Sequence, residues 1–302
     1  MLIEAVPNFS EGRDERTLAA LRQAISSVPG ATLLDETADA DHNRSVFTLA
    51  GSPLAVEQAL VAAAAVALLR IDLRRHRGVH PRIGAMDVAP LVPVEGVSWD
   101  ECEAAARGLG KRLWGELGLP VYYYGRAALR ADREKLENVR RGGFEELSRL
   151  AFEEESRAPD EGGPALHPSA GATAVGVRPF LIAFNVNLRT PEPRLARRIA
   201  REIRESSGGF AAVKALGLDL PERGLTQVSM NLVDFQQTSV RTVFEAICER
   251  AAAAGVALAG SELIGLAPAR ALSVEDAEEF QIEGFHPDCI FETRLALRRG
   301  GA

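Results

Sequence analysis

The stretch that decides the fold is Ala31-Thr-Leu-Leu-Asp-Glu-Thr-Ala-Asp-Ala-Asp-His-Asn-Arg-Ser-Val-Phe-Thr-Leu-Ala50. Its apolar runs at 31–35 and 44–50 read as strands, and the polar residues between them read as a loop at a sheet end. Helical patterns flank it at 13–27 and 53–70, and strands stand outside these at 2–6 and about 84–93. The order is βαββαβ. The second half repeats the pattern without evident sequence identity: strand 178–188, helix 191–206, strands 211–217 and 225–234, helix 238–254 and strand 256–264. Thr190 as cap and Pro191 at the first helical position mark the start of the first of these helices. The expected class is therefore α/β (α+β), with two ferredoxin-like βαββαβ-type subdomains, mixed sheets and helices on the outer faces. The halves are expected over 1–176 and 177–302. Between the two patterns, Ser98 and Glu101 form a capping box for a helix to about Leu117, and Pro120–Tyr124 reads as a strand with some tyrosine ring edges exposed. Residues 132–156 are charged and mostly helical, and Arg157–Ala172 is a Gly/Pro-rich loop long enough to suggest binding.

Composition narrows the function classes. The chain has 302 residues, 46% hydrophobic and 25% charged, with a formal net charge of -7. That balance argues against nucleic-acid binding, which needs a basic surface, so any anionic ligand has to be held by local arginines. Cys102, Cys248 and Cys289 are odd in number and lack a C-x-x-C spacing, which suggests neither a disulfide framework nor a zinc knuckle. The start Met-Leu-Ile-Glu-Ala-Val lacks the basic end and long apolar core of a signal peptide. Residues 53–69 are alanine- and valine-rich, but Glu57, Gln58 and the short length favour a buried helix over a membrane span. A cytoplasmic protein with no membrane partner is expected.

Four constellations carry candidate chemistry. In Arg77-Gly-Val-His-Pro-Arg-Ile-Gly-Ala-Met-Asp87, Pro81 pushes His80 out of the helical region and Gly78 loosens the turn before it. The imidazole suits proton shuttling near neutral pH, and Arg74, Arg75, Arg77 and Arg82 give it an anion-seeking setting. The loop before Ser45 offers Asp39, Asp41, His42, Asn43 and Arg44, enough to orient a neighbouring base or grip a polar substrate, although Asp and Asn also close turns on their own backbone. Pro7-Asn-Phe-Ser-Glu-Gly12 leads into a helix; capping accounts for Ser10 and Glu11, and Asn8 and Phe9 are left for ligand contact. On the strand Gln227–Phe235, Gln227, Ser229 and Asn231 share one face, which is either solvated or lines a polar cleft. His76, His80 and Asp87 with Asp39 or Asp41 resemble a metal set, but Gly78 and Pro81 break the helix that would bring the two histidines together, so no metal is expected. There is no phosphate loop, dinucleotide fingerprint or G-x-S-x-G elbow.

Together these blocks resemble the glutamate formiminotransferase family. The matching segments are Val6-Pro-Asn-Phe-Ser-Glu-Gly12, Asp41-His-Asn-Arg-Ser-Val46, His80-Pro-Arg-Ile-Gly-Ala-Met-Asp-Val-Ala-Pro90, Val121-Tyr-Tyr-Tyr-Gly125, Pro159-Asp-Glu-Gly-Gly-Pro164, Gly171-Ala-Thr-Ala-Val-Gly176, Phe180-Leu-Ile-Ala-Phe-Asn-Val-Asn187 and Gly260-Ser-Glu-Leu-Ile-Gly-Leu-Ala-Pro268. The resemblance implies the transferase part without a cyclodeaminase half, a homodimer of two-subdomain protomers, and folate held in a cleft between subdomains. It implies tetrahydrofolate as co-substrate and glutamate-type small molecules as partners. It makes His80 the catalytic histidine and Gly163, Pro164, Ala165, Leu166, His167, Pro168, Ser169, Ala170 and Gly171 the folate-binding loop. The sequence departs from mammalian relatives in that loop, which is one residue shorter and has Ala170 where they carry an aromatic. It departs also at Thr37, where they carry an acid whose role Asp39 or Asp41 takes over.

The implied reaction passes a formimino group between N-formimino-L-glutamate and tetrahydrofolate, in histidine degradation and one-carbon metabolism. One amine loses a proton and the leaving nitrogen gains one, which a single imidazole can do as base and then acid. Asp39 would orient it, and Arg44, Arg77 and Arg82 would fork onto substrate carboxylates. The transfer itself asks for no metal. The same fold acting on 5-formyltetrahydrofolate or another acceptor, and a non-catalytic folate-binding protein, are the alternatives.

Overall fold

The computed structural model describes residues 1–78 and 81–300. The chain divides into two compact units, Met1–Arg178 and Pro179–Ala302.

In the first unit β1 (Leu2–Ala5) and β2 (Asn8–Phe9) are two pieces of one strand. Ile3 stands opposite Gly51 and Phe9 opposite Ser45 in one continuous register. Pro7, which has no amide to donate, falls in the gap. There follow α1 (Glu15–Ser26), the hairpin of β3 (Ala31–Asp39) and β4 (Arg44–Gly51), α2 (Pro53–Arg70), β5 (Met86–Glu95), α3 (Trp99–Leu117) and β6 (Val121–Gly125). The short helices α4 (Leu136–Val139) and α5 (Gly143–Glu153) precede β7 (Thr173–Val177). Among the described residues the sheet order is β3, β4, β1 with β2, β5, β7, β6; the pairings are antiparallel as far as β5 and parallel beyond it. The first four positions are the expected ferredoxin-like frame, and β7 and β6 extend it.

Helices cover both faces. Phe9, Phe47, Leu49, Leu21, Ile25 and Leu60 form the larger core with α1, α2 and α3, and each is fully buried. Burying a side chain such as Phe47 contributes about 1.5–3 kcal/mol. Val88, Tyr122, Tyr124, Val139 and Leu147 form a second core on the side of α4 and α5. α2 is long and apolar enough to cross a membrane by composition, yet it packs against α1 and α3 with Ala59, Ala63, Ala64 and Ala67 fully buried.

The second unit holds β8 (Ile182–Leu188), α6 (Pro193–Ile203), β9 (Val213–Leu220), β10 (Leu225–Leu232), α7 (Val240–Ala253) and β11 (Leu258–Ile264), followed by α8 (Val274–Glu279) and α9 (Phe291–Gly300). Its strand order is β11, β8, β10, β9, with every pairing antiparallel where a mixed sheet was expected. Phe184 meets Phe244 of α7 and Phe280, so alternation turns Asn185 and Asn187 to the opposite face.

Several expectations are corrected. The polar loop after Asp35 is only four residues, because β3 runs on to pair Asp39 with Arg44. The strand expected over 178–188 starts at Ile182, and β7 was not anticipated. The helix start is capped by Glu192 with Pro193 at its first position, while Thr190 Oγ1 accepts from the Glu192 amide in the preceding turn. Tyr122, Tyr123 and Tyr124 are all buried, leaving no ring edge exposed.

Candidate active site

His80, the expected proton shuttle, lies outside the described residues with Val79, but both chain arms leading to it are described. They are anchored from three directions. The Leu73 amide donates to Ser169 O at 2.8 Å, the Ala85 amide to Ala170 O at 2.8 Å, and the Ala172 amide to Ile83 O at 3.0 Å. Ser10 donates through Oγ to Gly84 O at 2.7 Å and through its amide to Ala85 O at 2.9 Å. Asn43 Nδ2 donates to Arg77 O at 3.2 Å, and His76 Nε2 to Asn43 O at 2.9 Å. Arg82 Nη2 spans the two arms to Leu73 O at 3.2 Å. Glycine makes the closest approach possible: a Cβ on Gly171, whose φ is +69°, would lie 2.0 Å from Ile83 O, and one on Gly84 would lie 2.0 Å from Ala172 O. Segments 8–12, 39–44, 72–85 and 163–172, read separately in the sequence, are thus one assembly.

Beneath it is a buried charge cluster. Asp87 is fully buried and accepts from Arg44 Nη1 at 2.9 Å, Arg140 Nη2 at 2.5 Å and the Ile83 amide at 2.8 Å. Burial alone would raise its carboxyl pKa, but the Arg140 and Arg44 guanidiniums and the Ile83 amide outweigh this and hold it below the usual carboxylate range. Arg44 also donates from Nε and Nη2 to Asn8 Oδ1, at 3.1 and 2.8 Å, and Asn8 Nδ2 is tied to Val6 O at 2.8 Å. Arg44 and Asn8 are therefore locked in one orientation, the preorganisation an anion receptor needs.

The other expected residues have varied surroundings. Asp39 ends β3 and accepts from both the amide and Nδ1 of His42, each at 2.8 Å. The His42 amide above all holds the Asp39 carboxyl low, against partial burial. Asp41 is exposed at the turn. Arg77 Nη1 donates to His76 O at 2.8 Å. Arg82 forks onto Glu145 at 2.8 and 3.1 Å, so a substrate carboxylate would have to displace Glu145. In the loop, Gly163, Pro164, Ala165 and Pro168 are exposed, Leu166 is in the second core, and Ala170 and Gly171 are buried. His167 Nδ1 accepts from the Ala170 amide at 3.0 Å and the Ser169 amide at 3.3 Å, which puts its ring proton on Nε2. Burial, and then Arg74, lower its pKa.

Gln227 and Asn231 belong to the second unit, on the sheet face away from α7. Gln227 is buried and donates to Asn187 Oδ1 at 2.9 Å and Glu262 Oε2 at 3.1 Å, whereas Asn231 is exposed. Glu262 also accepts from Asn187 Nδ2 at 2.9 Å and Arg223 Nη1 at 2.8 Å. Burial would raise its pKa, and these donors bring it below the usual value.

Arg140, Glu145, Asn187 and Glu262 were not singled out from the sequence. Asp87 had a signal, a lone charge in the apolar run Met86–Leu91, which demands a partner. Among the described residues no three His, Cys, Asp or Glu side chains converge as a metal site would need.

Residues 2–178 match the family described as formiminotransferase domain, N-terminal subdomain, and residues 183–292 match the formiminotransferase domain. The chain is 44% identical to the glutamate formimidoyltransferase of Streptococcus pyogenes serotype M1, over 94% of this chain and 95% of that one. It is 42% identical to the glutamate formimidoyltransferase of Thermoplasma acidophilum, over 97% of each. It is 45% identical to the formimidoyltransferase-cyclodeaminase of Gallus gallus over 93% of this chain, which spans 52% of that protein.

Proposed function

The chain belongs to the formiminotransferase family, and from that premise we propose that it transfers a formimino group between N-formimino-L-glutamate and tetrahydrofolate, giving 5-formiminotetrahydrofolate and L-glutamate. The observation that carries the reading is the union of four segments around the arms of the His80 loop: Ser10, Asn43, Ser169, Ala170 and Ala172 all bond to residues 73–85. A loop tied at both ends to the glycine-rich segment and to the β3–β4 turn is what a site joining an imidazole, a folate loop and carboxylate-reading arginines requires.

In the mechanism, N5 of tetrahydrofolate attacks the formimino carbon and forms a tetrahedral carbon bearing three nitrogens. The C=N pair moves onto the imino nitrogen on attack and returns to the carbon as the C–N bond to glutamate breaks. His80 takes the proton from N5 and returns one to the glutamate nitrogen, so protons and electron pairs balance. Arg44, fixed by Asn8 and Asp87, takes a glutamate carboxylate, with Arg77 adding positive charge nearby. Asp39, already oriented toward His42, supports charge at this end of the site. Residues Gly163 to Gly171 receive the folate, and in the second unit Gln227 and Asn231 offer amides to a polar ligand. The catalytic loop belongs to the half read as 1–176, and the setting is a cytoplasmic homodimer.

The test is glutamate-dependent release of tetrahydrofolate from its 5-formimino form. His80→Ala is expected to lower kcat about 10²- to 10⁴-fold. Equal activity of wild type and variant overturns the proton-shuttle role. Folate binding with no transfer by wild type overturns the enzyme reading, and faster use of the 5-formyl donor moves the substrate assignment.

A further inference from the structure

We infer that His76 is a positioning residue of this site, a neutral Nε2–H imidazole whose bond to Asn43 holds the entry arm of the His80 loop in its working register. The inference rests on the transferase reading above.

His76 is only 8% exposed, and its Nε2 lies 2.9 Å from Asn43 O, a carbonyl that can only accept. The ring proton therefore sits on Nε2. Nδ1 is then a bare lone pair, and it is buried without a hydrogen-bond partner among the described residues. Asn43 answers the bond from the other side. Its Nδ2 donates to Arg77 O at 3.2 Å while its Oδ1 accepts from the Gly12 amide at 3.0 Å. Its backbone is left-handed, with φ of 49°, a conformation that asparagine accepts better than most residues. Two antiparallel bonds thus join residues 76 and 77 to Asn43, which is in turn fixed to the start of the first unit.

Loss of the His76 donor leaves Asn43 O buried and unpaired and removes one of the arm's two bonds to Asn43. A second proton on Nδ1 would place a cation in a dry site that faces Arg82 and Arg13, with Glu11 as the opposing acid, and burial together with Arg82 and Arg13 disfavours that form. The arrangement keeps the imidazole in one tautomer and supplies one directional bond. Its chemistry is thus distinct from that of a proton shuttle.

Two measurements decide the matter. In wild type, ¹⁵N NMR of the imidazole should show Nε2 protonated and Nδ1 bare from neutral pH to below the usual histidine value; titration at about pH 6.5 or above, or the opposite tautomer, overturns the inference. In the transfer assay, His76→Phe should lower kcat at least tenfold with the KM values within about threefold. His76→Gln, whose amide can donate to Asn43 O, should recover most of that loss. Wild-type kcat in the Phe variant, or equal defects in both variants at matched thermal stability, overturns it. An inactive wild type instead brings down the transferase reading, and the NMR result stands apart from that.

Discussion

In the first unit the central strand is interrupted at Pro7 and the sheet is widened by β7 and β6; in the second, β8 runs unbroken from Ile182 to Leu188 and the sheet stops at four strands among the described residues. The frame is the same and the polar contents differ. Just past the interruption Asn8 accepts from Arg44, and the segment leading into β7 ties itself to both arms of residues 73–85. The first unit thereby gains a buried ionic cluster, Arg44, Asp87 and Arg140. The second carries Asn187, Gln227 and Glu262 across neighbouring strands, a mostly amide network with one acid, which meets Arg223 at its edge. On a repeated βαββαβ frame, the break at Pro7 and the added strands set the first unit apart.

The largest effect is expected at Asp87. Removing its carboxylate by Asp87→Ala leaves two largely buried guanidiniums facing each other without a counter-ion, which costs about 3–5 kcal/mol. Urea unfolding measures it, and a loss below about 1 kcal/mol would mean that the two guanidiniums do not depend on this carboxylate. Because the folded carboxyl pKa lies below the unfolded one, the contribution is fully present above about pH 4 and is lost as pH falls through the depressed folded value. Wild type should show this share in its acid unfolding limb, and the variant should lack it.

What was legible in the sequence was what is local. The Ser98 box stands as read, with Ser98 Oγ accepting from the Glu101 amide and Glu101 accepting in return, because all of its partners lie within three residues. The hairpin was legible too, apart from its turn, since Glu36, Thr37, Ala38 and Asp39 are polar or small and only their pairing with residues 44–47 makes them strand. β7 was hidden for the opposite reason: Thr173–Val177 is buried on both faces, so it shows no alternation, and glycine interrupts it. The site was legible as residue types and illegible as partners. Asp87 announced that it needed a cation, but Arg140 is 53 positions away in a stretch dense with charge, and nothing local distinguishes it from Arg141.

Gly171 and Gly208 sharpen the comparison at the next level down. Both have positive φ, +69° and +86°, so alanine strains either backbone by about 1–2 kcal/mol. At Gly208, in the second unit, a Cβ meets nothing within 4 Å, and strain is the whole cost. At Gly171 the Cβ falls 2.0 Å from Ile83 O, so the two loops also have to part. Gly171→Ala should lose about 2–3 kcal/mol and most of the transfer activity, and Gly208→Ala about 1 kcal/mol with activity intact. Equal losses from both would show that the contact between loops adds nothing beyond the backbone angle.

The smallest effect is expected at Glu262, and it tests what the second unit contributes. Glu262→Gln keeps the shape but replaces one acceptor oxygen with an amide that meets donors from Asn187, Gln227 and Arg223. At a partly exposed site this should cost about 1 kcal/mol, because the side chain can rotate its remaining oxygen toward the strongest donor and leave the other to water. The kinetic consequence separates two roles for this face. If Gln227 reads folate, a disturbed network raises the KM for tetrahydrofolate while kcat holds, since the lost contact is made equally in the ground and transition states. Unchanged KM at the same stability loss would make the amide network a device for pairing β8, β10 and β11, and would leave recognition to the first unit.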